Sequence, residues 1–162
     1  VPHSYVPKNT SAYILTRGKG KHDTVVVTLR GDGFKFPLFF VKTKQQRTRK
    51  GIVIQKAQKG MTIDSMLAYI ETILQPNIRG GEILIMDALA CHKNAFVIEK
   101  LQRIGITIKI LPPKTSSQLS PLDNSFFNEF KTQFRQFSIA SWEEKQQAAQ
   151  KAYDKIKLRS NF

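Results

Sequence analysis

Glu82-Ile83-Leu84-Ile85-Met86-Asp87 and, further on, Ile106-Thr107-Ile108-Lys109-Ile110-Leu111 are the two segments around which this chain organises itself. The run from Ile83 to Met86 is apolar without interruption, the pattern of a strand buried on both faces inside an α/β sheet. Asp87 closes it, so its carboxylate is expected at the strand's C-terminal edge, where open α/β sheets bind ligands. Between the two strands, Asn94 to Ile104 reads as a helix that buries Phe96, Val97 and Leu101, with Gly105 as its C-cap. The spacing predicts adjacent parallel strands joined by a right-handed crossover. After the second strand, Ser120-Pro121-Leu122-Asp123 reads as an N-cap, a proline at the first helical position and an acid in the first turn. The helix it opens carries Phe126, Phe127, Phe130, Phe134 and Phe137 at helical spacing, which marks a core face rather than a base-stacking platform.

Upstream, Thr24 to Leu29 is β-branched and reads as a strand, Gly31-Asp32-Gly33 as a turn, and Phe34 to Val41 as the returning strand of a hairpin. Pro37 suggests that this second strand is an edge or carries a bulge. Short extended pieces are expected at Ala12 to Thr16 and at Ile52 to Ile54. Thr62 to Leu74 is the clearest helix: Ile63, Met66, Leu67, Ile70 and Leu74 share a stripe, Thr62 caps it and Pro76 ends it. A last helix starts at Ser141, with Ser141-Trp142-Glu143-Glu144 as a capping box, and runs towards Leu158.

A chain of 162 residues fits one domain able to bury about two-thirds of its unfolded surface. No apolar run is long enough to span a bilayer, so a soluble domain with no membrane partner is expected. The single cysteine, Cys91, excludes an internal disulfide and fits a reducing compartment. The first residue is Val1, so the sequence is read as a piece of a longer protein. Charge is lopsided, with 26 Lys and Arg against 12 acids and a net charge of +14. The densest basic run is Lys42, Lys44, Arg47, Arg49 and Lys50. Such basicity favours a polyanion, nucleic acid being the commonest; a solvated loop and a nuclear-import signal are the other readings of the run.

Asp87 and Asp123 are the candidate catalytic and metal-binding acids. Phosphodiester chemistry on two divalent ions needs a few carboxylates converging from separate elements, and Mg²⁺ or Mn²⁺ prefers such hard oxygen donors. A strand end and a helix start allow that convergence. By position alone, Asp87 also reads as a turn or N-cap residue, and Asp123 as an acid favoured in the first turn of a helix on electrostatic grounds. His92 has no acid at zinc-ligand spacing, and Cys91 has little support as a nucleophile. Asp32, between two glycines, is a weaker alternative for an acid of the site.

These residues resemble the DDE-superfamily transposases of the pogo, Tigger and jerky branch, which includes centromere-protein-B relatives. Asp87 followed by His92, and Leu111 to Asp123 ahead of Phe130-Lys131, carry the specific part of the resemblance. Gly31 to Pro37 and Lys59-Gly60-Met61-Thr62 extend it, and Ser120 departs from the family's usual glutamine. The resemblance implies an RNase H-like α/β core over residues 1–137, a mixed sheet with helices on both faces, and 138–162 as a C-terminal helix within or appended to it. It also implies a first, central strand bearing another catalytic acid. That strand is expected to be missing here, leaving a slot beside 82–87 unless Ala12 to Thr16 or a neighbouring chain fills it. The implied activity is metal-dependent DNA cleavage and strand transfer, in the nucleus of a eukaryote and as a homodimer in a transposition complex. A domesticated descendant, inactive and kept for DNA binding or scaffolding, is the rival reading. His92 is implied to lie near substrate phosphates; capping of the helix that follows is its other reading.

Overall fold

Residues 9–15, 24–42, 52–56, 60–120 and 122–158 are described by the computed structural model. Its strands are β1 (Asn9–Leu15), β2 (Thr24–Arg30), β3 (Leu38–Lys42), β4 (Ile52–Lys56), β5 (Ile83–Met86) and β6 (Thr107–Ile110). They form one sheet in the order β4-β3-β2-β1-β5-β6. β2 is antiparallel to both β1 and β3, while β3–β4, β1–β5 and β5–β6 are parallel pairs. Only β2 therefore runs against the other strands. The β2–β3 hairpin and the parallel β5–β6 pair agree with the sequence reading.

The helical elements are α1 (Ile63–Tyr69), a π-helical turn (Ile70–Leu74), α2 (Gln75–Asn77), a 3₁₀ turn (Ala90–Lys93) and α3 (Ala95–Arg103). They continue with α4 (Ser116–Leu119), a second π turn (Leu122–Phe126), α5 (Phe127–Phe134) and α6 (Trp142–Lys155). Thr62 caps α1 by accepting from the Ser65 N–H, and Ser141 with Glu144 completes the capping box of α6. Both faces of the sheet are covered. Val25, Val27, Leu29, Leu38 and Phe40 pack against Phe126, Phe127 and Phe130 and against Ala149, Ala152 and Tyr153 of α6. On the other face, Val26, Phe39, Val41, Leu84 and Met86 meet Met66, Tyr69, Ile70 and Ile73, with Val97 and Leu101 of α3. Alternation along β2 sends successive side chains to the two cores, which is why all seven of its residues are buried. No described helix is long and apolar enough to cross a membrane.

Three expectations are corrected, and a conditional one is met: the slot beside β5 is filled from within the chain, as the Ala12 to Thr16 alternative had it, by β1, which pairs with β2 along its length and meets β5 at Thr10 and Ile85. Two flanking strands with unpaired N–H and C=O groups are costly, and a seven-residue extended segment satisfies them. β3 is not an edge strand, because β4 pairs with it from Leu38 onward. The other reading of Pro37 holds: between the Leu29–Lys35 bridge and the Val26–Phe39 pair, three steps on β2 face four on the returning strand, so the proline sits at a one-residue bulge. The helix opened by Thr62 passes through Pro76 to Asn77, across the wider π turn that precedes the proline. Phe96, assigned to the core by its spacing, is 70% exposed, while Val97 and Leu101 of the same helix are fully buried.

Candidate active site

Strand directions decide which residues share an edge. β1, β3, β4, β5 and β6 are co-directional, so Leu15, Lys42, Lys56, Met86 and Ile110 all end at one side of the sheet, facing the start of β2. Asp87 emerges there. Its neighbour β6 stays paired one step further, the Leu111 N–H donating to Met86 O at 2.7 Å.

Ala88-Leu89-Ala90-Cys91 then turns tightly enough to fold His92 back beneath Asp87, the His92 N–H donating to Leu89 O at 3.1 Å. The His92 ring is wholly buried. Its Nδ1 lies 3.0 Å from the Asp87 main-chain oxygen and 2.9 Å from Asp87 Oδ1. A carbonyl oxygen can only accept, so Nδ1 carries the proton and donates. Burial holds the imidazole pKa below its ordinary value, against the opposing effect of the Asp87 carbonyl, so the ring is neutral near pH 7. His92 thus neither reaches towards solvent nor caps the helix; Asn94 is the cap, accepting from the Phe96 N–H. Its partner is Asp87.

Asp87 Oδ1 is buried, yet the side chain as a whole is 32% exposed. Cys91, beside it in sequence, is buried; burial raises its thiol pKa and the Asp87 charge adds to the rise.

Asp123 is the second residue of the π turn Leu122–Phe126, which packs on β1. Leu122 and Phe126 anchor that turn in the core, while the Asp123 side chain lies outside what the structure describes. Among the described residues no three of His, Cys, Asp and Glu gather at metal-ligand distance. Of the basic run, Lys42 stands at the same sheet edge as Asp87, its Nζ 3.9 Å from the Trp142 ring centroid. Lys44, Arg47, Arg49 and Lys50 lie outside the described residues.

Asp32 belongs to the opposite edge. Asn9 pairs with Arg30 and Thr10 with Ile85, which sets the β2–β3 turn beyond the N-terminal end of β5. There Asp32 receives Arg30 Nε at 3.0 Å and the Phe34 N–H at 3.0 Å, with Arg79 3.4 Å away. These partners hold its carboxyl below the usual range, the Arg30 hydrogen bond first. It pins a turn and does not join Asp87. The His92–Asp87 contact was hidden from sequence reasoning, although the four-residue gap between them was the available signal.

Residues 29–162 match the family described as DDE superfamily endonuclease. The catalytic domain of Mos1 mariner transposase is similar in structure, with a TM-score of 0.67 at 13% identity, over 91% of this chain and 70% of that one. A chain of the simian T-cell lymphotropic virus intasome in complex with PP2A regulatory subunit B56 gamma gives a TM-score of 0.58 at 10% identity, over 91% and 51%. At such identities the likeness is one of fold, and the fold is the RNase H-like one. No curated protein sequence matches the chain significantly.

Proposed function

Because the chain belongs to the DDE superfamily endonuclease family, we propose that it cleaves and joins DNA strands with divalent metal ions, Asp87 and Asp123 being two of the acids that hold them. The observation that carries this reading is the Asp87 carboxylate at the C-terminal edge of β5, its Oδ1 buried 2.9 Å from the ring of a buried neutral histidine while the side chain as a whole is 32% exposed. The donor chemistry fits Mg²⁺ or Mn²⁺, hard ions that take carboxylate oxygens and keep several waters. Bound there, two ions would activate the attacking oxygen and stabilise the leaving oxygen of a phosphodiester. The chain's own part is positional. His92 holds the main chain of Asp87 and packs against its carboxylate, and Asp123 belongs to a second element, the helical turn on β1. DNA is the partner, with a second copy in a transposition complex and a nuclear setting in a eukaryote.

One observation favours a second reading, a DNA-binding or scaffolding module without cleavage: the strand at the centre of the sheet, Asn9–Leu15, contains no acid. Calorimetric titration with Mn²⁺ separates the two. Asp87→Asn keeps the main-chain oxygen to which His92 donates, so the fold should persist while the affinity falls. Asp123→Asn should weaken Mn²⁺ comparably. Full retention of Mn²⁺ binding by both variants would sink the metal-site assignment.

A further inference from the structure

Lys114 is the one non-glycine residue with a left-handed backbone among those described, at φ 64°. It is the third residue of the turn Pro112-Pro113-Lys114-Thr115, closed by the Thr115 N–H donating to Pro112 O at 3.2 Å. The Thr115 hydroxyl donates to the same oxygen at 2.7 Å. Pro113 presets the second position of such a turn, and a positive φ at the third is ordinarily met by Gly or Asn. A lysine there brings a Cβ into a conformation it disfavours, so turn formation alone does not account for it. Strain of this kind persists where the side chain it directs is used.

The turn's location says for what. It follows β6 at the edge where Asp87 follows β5, and the Leu111–Met86 hydrogen bond ties the two strand ends together. Lys114 is exposed and pairs with no carboxylate among the described residues. We propose that Lys114 is a phosphate-binding residue of the active-site rim, its left-handed backbone aiming the ammonium at a DNA backbone phosphate held beside Asp87. The inference rests on the DNA-cleaving reading above and adds to it a residue that positions the strand.

The test uses the full chain and a fluorescein-labelled DNA duplex in the presence of Mn²⁺. Lys114→Asn and Lys114→Gly relieve the turn, so their melting temperatures should equal or exceed that of the wild type, while DNA binding weakens. The slope of log affinity against log salt should flatten by about one counterion. Lys114→Arg should retain both affinity and slope. In a double-mutant cycle with Asp87→Asn, the binding losses should be non-additive, because the ion that Asp87 would hold and the lysine engage one phosphate. If the wild type binds DNA and Lys114→Asn binds with the same affinity and slope, this inference alone falls. Strictly additive losses would likewise overturn it by moving the lysine's contact elsewhere. A wild type that fails to bind DNA at all would overturn the proposed function together with it.

Discussion

His92 Nδ1 stands 3.0 Å from the main-chain oxygen of Asp87 and 2.9 Å from Oδ1 of the same residue, so one buried ring hydrogen-bonds the backbone of the proposed metal-binding acid and packs against its carboxylate. Histidine suits this task because its ring donates from a rigid plane and fills the space under the turn. A neutral donor fits better than a cation: it leaves the carboxylate's full charge for a metal ion.

The contact predicts a particular hierarchy among substitutions. His92→Asn offers an amide N–H in place of the ring and should retain part of the Mn²⁺ affinity. His92→Ala should lose roughly 10–100-fold, the range found when a partner that orients a metal ligand is removed. It should also cost about 2–4 kcal/mol of stability, for the cavity and for the acceptors left unpaired. Calorimetry and urea unfolding measure the two effects separately. Mn²⁺ affinity unchanged in His92→Ala would show that Asp87 needs no such support.

Helix α3 supplies the second prediction. Phe96 is 70% exposed, and Val97 and Leu101 are wholly buried. Phe96→Ser should therefore change stability by no more than about 0.5 kcal/mol, whereas Leu101→Ala should cost about 2–5 kcal/mol. Chemical denaturation of both variants decides it. A large loss in Phe96→Ser would return that residue to the core.

Phe96 also marks where sequence reading reached its limit. Local patterns identified the β2–β3 hairpin, the β5–α3–β6 unit, the Thr62 cap and the Ser141 capping box, because each is written in adjacent residues. Phe96 sits next to Val97, and periodicity alone cannot say where the rim of an apolar stripe ends. Of the two readings Pro37 allowed, the bulge holds and the edge does not, because the partner of β3 is β4, beyond the basic run. The central place of β1 is a tertiary outcome as well, set by two strands that need a partner rather than by its own seven residues. At the site, Asp87 was legible from its strand. The role of His92 was not, since a tight 3₁₀ turn rather than helical spacing brings it to the carboxylate.

Asp32 predicts a pH effect with a definite sign. Its folded pKa is lowered, chiefly by the Arg30 hydrogen bond, with the Phe34 N–H and the charges of Arg30 and Arg79 acting the same way. A carboxyl that is more acidic when folded contributes stability that is present above its unfolded pKa of about 3.9 and lost as pH falls through its folded value. Thermal melts of the wild type should therefore decline on acidification below about pH 4 more steeply than those of Asp32→Asn. Equal acid limbs would mean that the ion pairs of this turn contribute nothing. The same variant should bind Mn²⁺ like the wild type, since Asp32 lies at the edge of the sheet opposite Asp87.

The basic run divides into residues with different work. Lys42 Nζ lies 3.9 Å from the centre of the Trp142 ring, which itself packs edge-on against Phe40 at 5.9 Å. Removing this cation should cost about 0.5–2 kcal/mol of stability, because it ties the end of β3 to the start of α6. Lys44, Arg47, Arg49 and Lys50 follow Lys42 in the sequence. Neutralising these four together should flatten the dependence of DNA affinity on salt by up to about 3.6 log units per log unit, each phosphate contact releasing about 0.9 counterion. Lys42→Ala alone should lower the melting temperature and change that slope by less than one contact's worth. Fluorescence anisotropy across a salt series, with melts of each variant, reads both quantities. A slope that survives the fourfold neutralisation would assign the run to a solvated loop or an import signal, and DNA contact to other lysines of the domain.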